Sequence, residues 1–240
     1  MHSQSYFNTF PDSTEAAELI VPLVLDVVDL PRSVVDLGGG VGTWSRAFKR
    51  HGVNKVTCID SGSIDRSELL VSENEFMGTD LSASIPAPID SDLAVSLEFA
   101  EHVPAQRSSQ IVEFLTSSAP IVLFSAAIPG QFGPGHINEQ PAGYWRKLFR
   151  EYGYRHHDVI RPRIICRREV PFWYRQNLSI YANEESSKTI EARSTRFGEI
   201  PEDFELIHEQ VLDTYRSKIP LGLRRWLRMF PSAFKASFFP

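Results

Sequence analysis

The sequence predicts an α/β fold: a doubly wound, mainly parallel sheet with helices on both faces and an antiparallel edge. Three observations carry that reading. Short apolar, β-branched runs alternate with segments of helical periodicity up to Tyr152, the order that builds a parallel sheet covered on both sides. The first of these runs stops at a glycine cluster, Gly38, Gly39, Gly40 and Gly42, where such folds turn sharply from strand into helix. Beyond Tyr152 the helical pattern lapses. Strand-like stretches around Val159 and Leu178 then follow one another with Pro162 and Pro171 between them, as an antiparallel pair closing one edge would.

In chain order, apolar residues recur at helical spacing over residues 15–28, behind Asp12 and Ser13 as N-cap candidates and ahead of Pro31. Residues 33–37 read as the first strand and 44–50 as the helix beyond the glycines. Residues 55–60, 75–79 and 92–97 read as the next three strands, each ending where polar or small residues begin. A helix over 106–117, a buried strand over 121–126 and a helix over 142–152 with Gly153 behind it complete the alternating part. Residues 183–194 are polar and read as an exposed linker, 203–215 as a helix, and Pro220 opens a basic tail. The expected organisation is a ligand-binding domain over 1–183 with its N-terminal helix, followed over 184–240 by linker, helix and tail.

Composition narrows the class. With 42% hydrophobic and 23% charged residues in 240, the chain has the core of a folded domain and neither the polarity of a disordered one nor the apolar excess of a multispan membrane protein. Cys58 and Cys166 sit far apart inside apolar runs, which predicts two reduced core thiols rather than a disulfide frame or zinc site. Residues 1–8 lack the basic and apolar parts of a signal peptide, so a cytoplasmic location is expected. Arg216, Lys218, Arg224, Arg225, Arg228 and Lys235 fall in the last 25 residues with no acid among them, leaving 19 basic against 30 acidic residues elsewhere. Such a balance disfavours nucleic acid as partner of the main domain. The tail interleaves its bases with Leu221, Leu223, Trp226, Leu227, Met229 and Phe230, a composition suited to peripheral contact with an anionic membrane. Pro220 and Pro231 shorten any helix there, and packing on the domain itself or on a homodimer partner is the competing use.

The segment Val34-Val35-Asp36-Leu37-Gly38-Gly39-Gly40-Val41-Gly42-Thr43 carries the functional signal. Glycines let backbone N–H groups approach a ligand that a Cβ would keep away, and the helix N-terminus behind them favours electron-rich groups. Asp60 ends the second strand eighteen residues after Gly42; in a βαβ unit that places a carboxylate where both hydroxyls of a ribose can donate to it. No lysine follows the glycines as in a phosphate-binding loop, and Asp36 would repel a pyrophosphate while suiting a cationic amine. A dinucleotide fingerprint would have Gly or Ala where Thr43 stands.

Asp36, Gly38, Gly40 and Gly42 in this order resemble the first motif of class I S-adenosylmethionine-dependent methyltransferases. The resemblance continues through Asp60 as the ribose-binding acid, Thr79-Asp80-Leu81 as the adenine-contacting turn and Ser96-Leu97-Glu98 at the end of the fourth strand. It implies a Rossmann-like domain with S-adenosylmethionine as cofactor, held by Asp36, Gly38, Gly39, Gly40, Gly42, Thr43, Asp60, Ser61, Thr79, Asp80, Leu81, Leu97 and Glu98. Two further stretches, Leu97-Glu98-Phe99-Ala100-Glu101-His102-Val103-Pro104 and Gly135-His136-Ile137-Asn138-Glu139-Gln140, resemble a bacterial subgroup acting on sugars, surface polysaccharides and secondary metabolites. A sugar, nucleotide sugar or other small molecule methylated on oxygen or nitrogen is what that resemblance implies.

Methyl transfer from a sulfonium asks the protein to align the nucleophile and dispose of its proton. His136, in a glycine-rich loop, is the first candidate for general base and His102 the second; a loop-capping role is the alternative for both. Asn138, Glu139, Gln140 and Tyr144 offer hydrogen-bonding groups to a hydroxyl-rich substrate, although helix capping and, for Tyr144 and Trp145, core packing account for them equally well. Glu98, Glu101, His102, His136 and Glu139 could converge on one divalent ion, but Pro104 and the loop character around it argue against a rigid ligand pair, and the sequence reading assigns no metal. The aromatic run 171–178 reads as the start of a strand packed on the sheet, His156 and His157 as a solvated strand end, and Tyr6 and Phe7 as residues able to cap the cofactor. The competing functions are a nicotinamide-dependent oxidoreductase, which Thr43 argues against, and a noncatalytic module that binds a partner on the same fold.

Overall fold

A computed structural model describes residues 12–195 and Ile207. Helix α1 (Asp12–Leu25) leads into β1 (Ser33–Leu37), α2 (Thr43–Arg50) and β2 (Lys55–Asp60). Then come β3 (Phe76–Gly78), β4 (Leu93–Leu97), α3 (Ser108–Ser118), β5 (Ile121–Ser125) and α4 (Ala142–Glu151). The chain closes with β6 (Arg155–His157), α5 (Arg161–Ile164), α6 (Phe172–Asn177), β7 (Ser179–Ala182) and α7 (Glu184–Ser194).

The seven strands form one sheet in the order β3-β2-β1-β4-β5-β7-β6. The first five are parallel, and β7 runs antiparallel to both β5 and β6, so the expected mainly parallel sheet with an antiparallel edge is what the chain builds. Strand alternation sends Val34 and Leu123 into one core and Val35 and Phe124 into another. The first core is covered by α1, α2, α6 and α7, the second by α3 and α4. Because β4 is covered on both faces, all five of its residues are buried, Ser96 being the one polar residue in the strand. Strand order reverses between β1 and β4, and all the parallel strands end at one edge, which opens a crevice there.

Four readings of the chain beyond Tyr152 are corrected. Val159 lies outside the strands, and residues 172–177 form a helix behind Pro171 at the N-cap instead of opening a strand. Residues 184–194 form α7 instead of an open linker. The Asn183 side chain accepts from the Ser186 N–H (2.9 Å), while Ser187, Ile190 and Ser194 are buried. His157 is buried and lies 2.9 Å from Ser187 Oγ, so it is no solvated strand end. Its neighbour His156 is pushed down to about 3 by burial first and by Arg146 and Arg161 next, which keeps it neutral. Of the two free thiols Cys58 is buried as expected, whereas Cys166 is exposed. Among the described residues no helix is long and apolar enough to cross a membrane. Tyr6, Phe7, the helix expected over 203–215 and the basic tail lie outside the described residues.

Candidate active site

The glycine turn is built as the sequence predicts. Gly38, Gly40 and Gly42 all have positive φ (77°, 58° and 90°), which side chains other than glycine resist. A Cβ on Gly38 would also stand 2.1 Å from the Phe99 ring. The N–H groups of Gly38 and Gly39 both donate to Ile59 O (2.8 and 3.2 Å), folding the turn onto the end of β2. Asp60 thereby comes beside it, accepting from the Gly40 N–H (2.7 Å) and the Ser61 N–H (2.6 Å). Thr43 opens α2 behind Gly42. The Thr79 N–H donates to Asp60 O (2.8 Å), so the Thr79-Asp80-Leu81 turn flanks the same acid. Leu81 is buried, and one oxygen of the exposed Asp80 is committed to Ser82 and Ala83 within its own turn.

Asp36 lies buried beneath this loop and accepts from Ser45 Oγ (2.9 Å). Burial pushes its carboxyl up to about 7, helped by the charge of Asp60 and opposed by Ser45; burial raises Asp60 too, against the two backbone N–H groups it accepts. For Asp36 the consequence has a definite sign. The folded chain binds this proton more tightly than the unfolded one, so stability is lost as pH rises from 3.8 through about 7. Asp36→Asn is therefore expected to melt several degrees above the parent at pH 8.5, with the difference vanishing below the unfolded value, as thermal melts across that range would register. Equal melting temperatures at both ends would show that Asp36 carries no such penalty.

At the end of β4, Glu98 adopts a left-handed backbone (φ 50°), a conformation costing about 1–2 kcal/mol for a residue with a Cβ. It is held there by its N–H, which donates to Ser125 O and lies within reach of Ser125 Oγ (3.0 and 3.1 Å). Its carboxylate accepts from Gln131 Nε2 (2.8 Å) and Asn177 Nδ2 (3.0 Å), and Asn177 also donates to Gln131 Oε1 (2.8 Å). Leu97 just before it is buried.

The loops after β4 and β5 meet next to Glu98. A 3₁₀ turn over Ala100–His102 buries Glu101 completely, and Glu101 O accepts from the N–H groups of Ile137 and Asn138 (2.9 and 3.0 Å). His136 Nδ1 is 2.9 Å from Glu139 Oε1, while its Nε2 faces Glu101 Oε1 across 4.0 Å. The His102 ring stands edge-on to His136 with centroids 5.0 Å apart. Glu139 also accepts from the N–H groups of Gly130 (2.9 Å) and Phe132 (2.7 Å), fixing the loop that carries the histidine. Gly133 allows the imidazole to come this close, since a Cβ there would lie 2.3 Å from His136 Nε2. A wide cavity of about 590 Å³ opens over Phe132, Gly133, His136, Ile137 and Glu139.

In sequence the chain matches no family model and no curated protein. In structure it is similar to DhpI, solved as a complex with SAH: TM-score 0.51 at 18% identity, covering 75% of this chain and 91% of that one. It is similar also to an O-methyltransferase family protein from Burkholderia thailandensis (0.51 at 14%, 76% and 60%) and to a Nostoc punctiforme protein assigned to the O-methyltransferases (0.50 at 15%, 72% and 57%). The fold is the Rossmann-like methyltransferase fold. The chain spans only 60% and 57% of the length of the latter two.

The residues read from the sequence as cofactor contacts follow the ends of β1, β2, β3 and β4 along one edge of the sheet. Of the residues read as substrate contacts, Asn138 is buried, with its amide donating to Ala100 O (3.1 Å) and Ser108 Oγ (3.2 Å) and its Oδ1 accepting from Gln140 (2.9 Å). It ties the two loops together. Tyr144 packs edge-on to Trp145 at the border of the second core. Gln131 and Asn177, the partners of Glu98, were not among the expected site residues; the only sequence signal for Gln131 is its place in the β5 loop, and Asn177 sits on the helix misread as a strand.

Proposed function

We propose that this chain transfers a methyl group from S-adenosylmethionine to an oxygen of a hydroxyl-bearing small molecule of the sugar class. The observation that carries the reading is the placement of Asp60 against the Gly40 N–H, with Asp36 buried under the same turn. Asp60 is set to accept from a ribose. The carboxyl groups of Asp36, Asp60 and Glu98 around the crevice suit a ligand carrying both a sulfonium and an ammonium group better than the pyrophosphate of a dinucleotide. The SAH complex of DhpI and the other O-methyltransferases of the same fold support it.

When bound, the cofactor supplies the activated methyl carbon. The chain's own residues would supply position and proton handling: Glu98, held by Gln131 and Asn177, would meet the methionine end of the cofactor, and the cluster of Glu101, His102 and His136, with His136 lining the wide cavity, would meet the acceptor. Orienting the acceptor hydroxyl and easing the loss of its proton would fall to that cluster. Exposed Phe132 and Ile137 at the rim offer apolar surface for the faces of an acceptor ring.

Calorimetric titration of the full chain with S-adenosylhomocysteine, the expected product, tests the cofactor assignment beside NADH as control. Saturation by the former and silence from the latter is expected. NADH binding alone would replace the reading by an oxidoreductase, and silence from both would leave a noncatalytic module.

A further inference from the structure

Glu101 has no role in the fold that its chemistry explains. Its side chain is wholly buried and neither carboxylate oxygen makes a hydrogen bond. An ionised carboxylate in that state costs several kcal/mol unless a positive charge meets it. What it faces is His136 Nε2 at 4.0 Å, too far for a hydrogen bond. In the tautomer whose Nδ1–H donates to Glu139, Nε2 presents its lone pair to Glu101. Two acceptors therefore point at one another across a gap that a cation can fill.

His102 completes the set: ligand atoms of Glu101, His102 and His136 all lie within 4.8 Å of one another. Two donors bound to one zinc-sized ion at about 2.1 Å in tetrahedral geometry are roughly 3.4 Å apart, so a contraction of the order of an ångström converts the cluster into a coordination sphere. Glu139 already holds the distal nitrogen of His136 and is itself pinned by two backbone N–H groups, which is the support that metal-binding histidines regularly have.

We propose that Glu101, His102 and His136 form a divalent transition-metal site, with Glu139 as the residue that orients His136 and with the remaining coordination positions open to the wide cavity. Two imidazoles and one carboxylate are donors of borderline softness, suited to Zn²⁺ and its first-row neighbours rather than to Mg²⁺ or Ca²⁺. The use of the ion rests on the methyl-transfer reading above; the site does not. In that use the acceptor hydroxyl takes an open position, where the ion lowers its pKa, and its proton passes to hydroxide to give water. The alkoxide then forms the O–C bond as the C–S pair leaves on sulfur, and the ion ends with the charge it began with. His102 and His136 hold the ion, so neither needs to take the proton itself.

The test uses the full chain, stripped with chelator and titrated with Co²⁺, whose visible absorption reports imidazole ligation. One ion per chain is expected, displaced by Zn²⁺. Glu101→Gln and His136→Gln should each weaken Co²⁺ binding at least 100-fold and Glu139→Gln about 10–100-fold. Absence of stoichiometric binding, or binding unchanged in Glu101→Gln and His136→Gln, overturns the site. Should those variants fail to fold, X-ray absorption on the Zn²⁺-loaded parent decides: a shell of two imidazoles plus oxygen supports the proposal, and a shell with sulfur or without imidazole ends it. S-adenosylhomocysteine titrated into the same samples separates the two readings. Its binding to a chain that takes no metal sinks the site alone, and metal binding without it sinks the cofactor assignment alone.

Discussion

Replacing Asp60 by alanine is expected to weaken S-adenosylhomocysteine binding by roughly 10²–10⁴-fold while leaving the chain folded. The magnitude follows from two hydrogen bonds between ribose hydroxyls and a carboxylate, each contributing about 1.5–3 kcal/mol, with each 1.4 kcal/mol worth about tenfold. Folding is less affected because Asp60 is only half-buried. The N–H groups of Gly40 and Ser61, which it accepts, can turn to water once it is gone. Asp60→Asn keeps one acceptor for the loop and should fall between the parent and Asp60→Ala. Calorimetry for affinity with a thermal melt on the same samples decides it. An unchanged affinity in folded Asp60→Ala would remove the ribose-binding role, and with it the main support for the cofactor.

The parts of this molecule that sequence reveals are those where one residue's neighbours in the chain are also its physical environment. β1 and β2 were expected at the positions where they occur, because short runs rich in β-branched residues that stop at a turn mark strands. The glycine turn and Asp60 were legible for a related reason: the length of a βαβ unit fixes which residue returns beside the turn. Past Tyr152 that correspondence fails. α5 and α6 are only 4 and 6 residues long, and the prolines that start them read equally well as strand breakers. α7 buries just Ser187, Ile190 and Ser194 against the sheet, too little to lift its composition above that of a linker. The histidine cluster shows the same limit. The residues that converge are Glu101 and His102, adjacent in a 3₁₀ turn, with His136 from another loop. Their meeting depends on β4 and β5 being neighbours in the sheet, which no local pattern encodes.

The other large effect is expected far from the glycine turn, at the buried pair that holds α6 in place. Arg161 Nε donates to Asp158 Oδ1 (2.9 Å), its Nη2 contacts Asp158 Oδ2, and its Nη1 donates to Gln176 O (2.7 Å). Both side chains are almost wholly excluded from solvent. The guanidinium thus joins the end of β6 to the last turn of α6, whose next residue, Asn177, holds Glu98. Asp158→Ala strands a buried guanidinium that cannot shed its charge, and such a change costs about 3–5 kcal/mol. At roughly 2–4 °C per kcal/mol for a domain of this size, the melting temperature should fall by about 10 °C. Arg161→Met leaves the carboxyl unpaired instead, and burial already raises the pKa of Asp158 against the pull of Arg161. Asp158 can therefore escape by taking a proton, and the Arg161→Met penalty should shrink as the pH is lowered, where that of Asp158→Ala should not. Combining Asp158→Leu with Arg161→Met removes both charges and should recover much of the loss, short of the bond to Gln176 O. Melts of the three variants at pH 5 and pH 8 distinguish these cases. A loss below about 1 kcal/mol in Asp158→Ala would mean that water reaches the guanidinium, and that the anchoring of α6, and through it of Asn177 and Glu98, rests on the apolar contacts of Tyr174 and Leu178 instead.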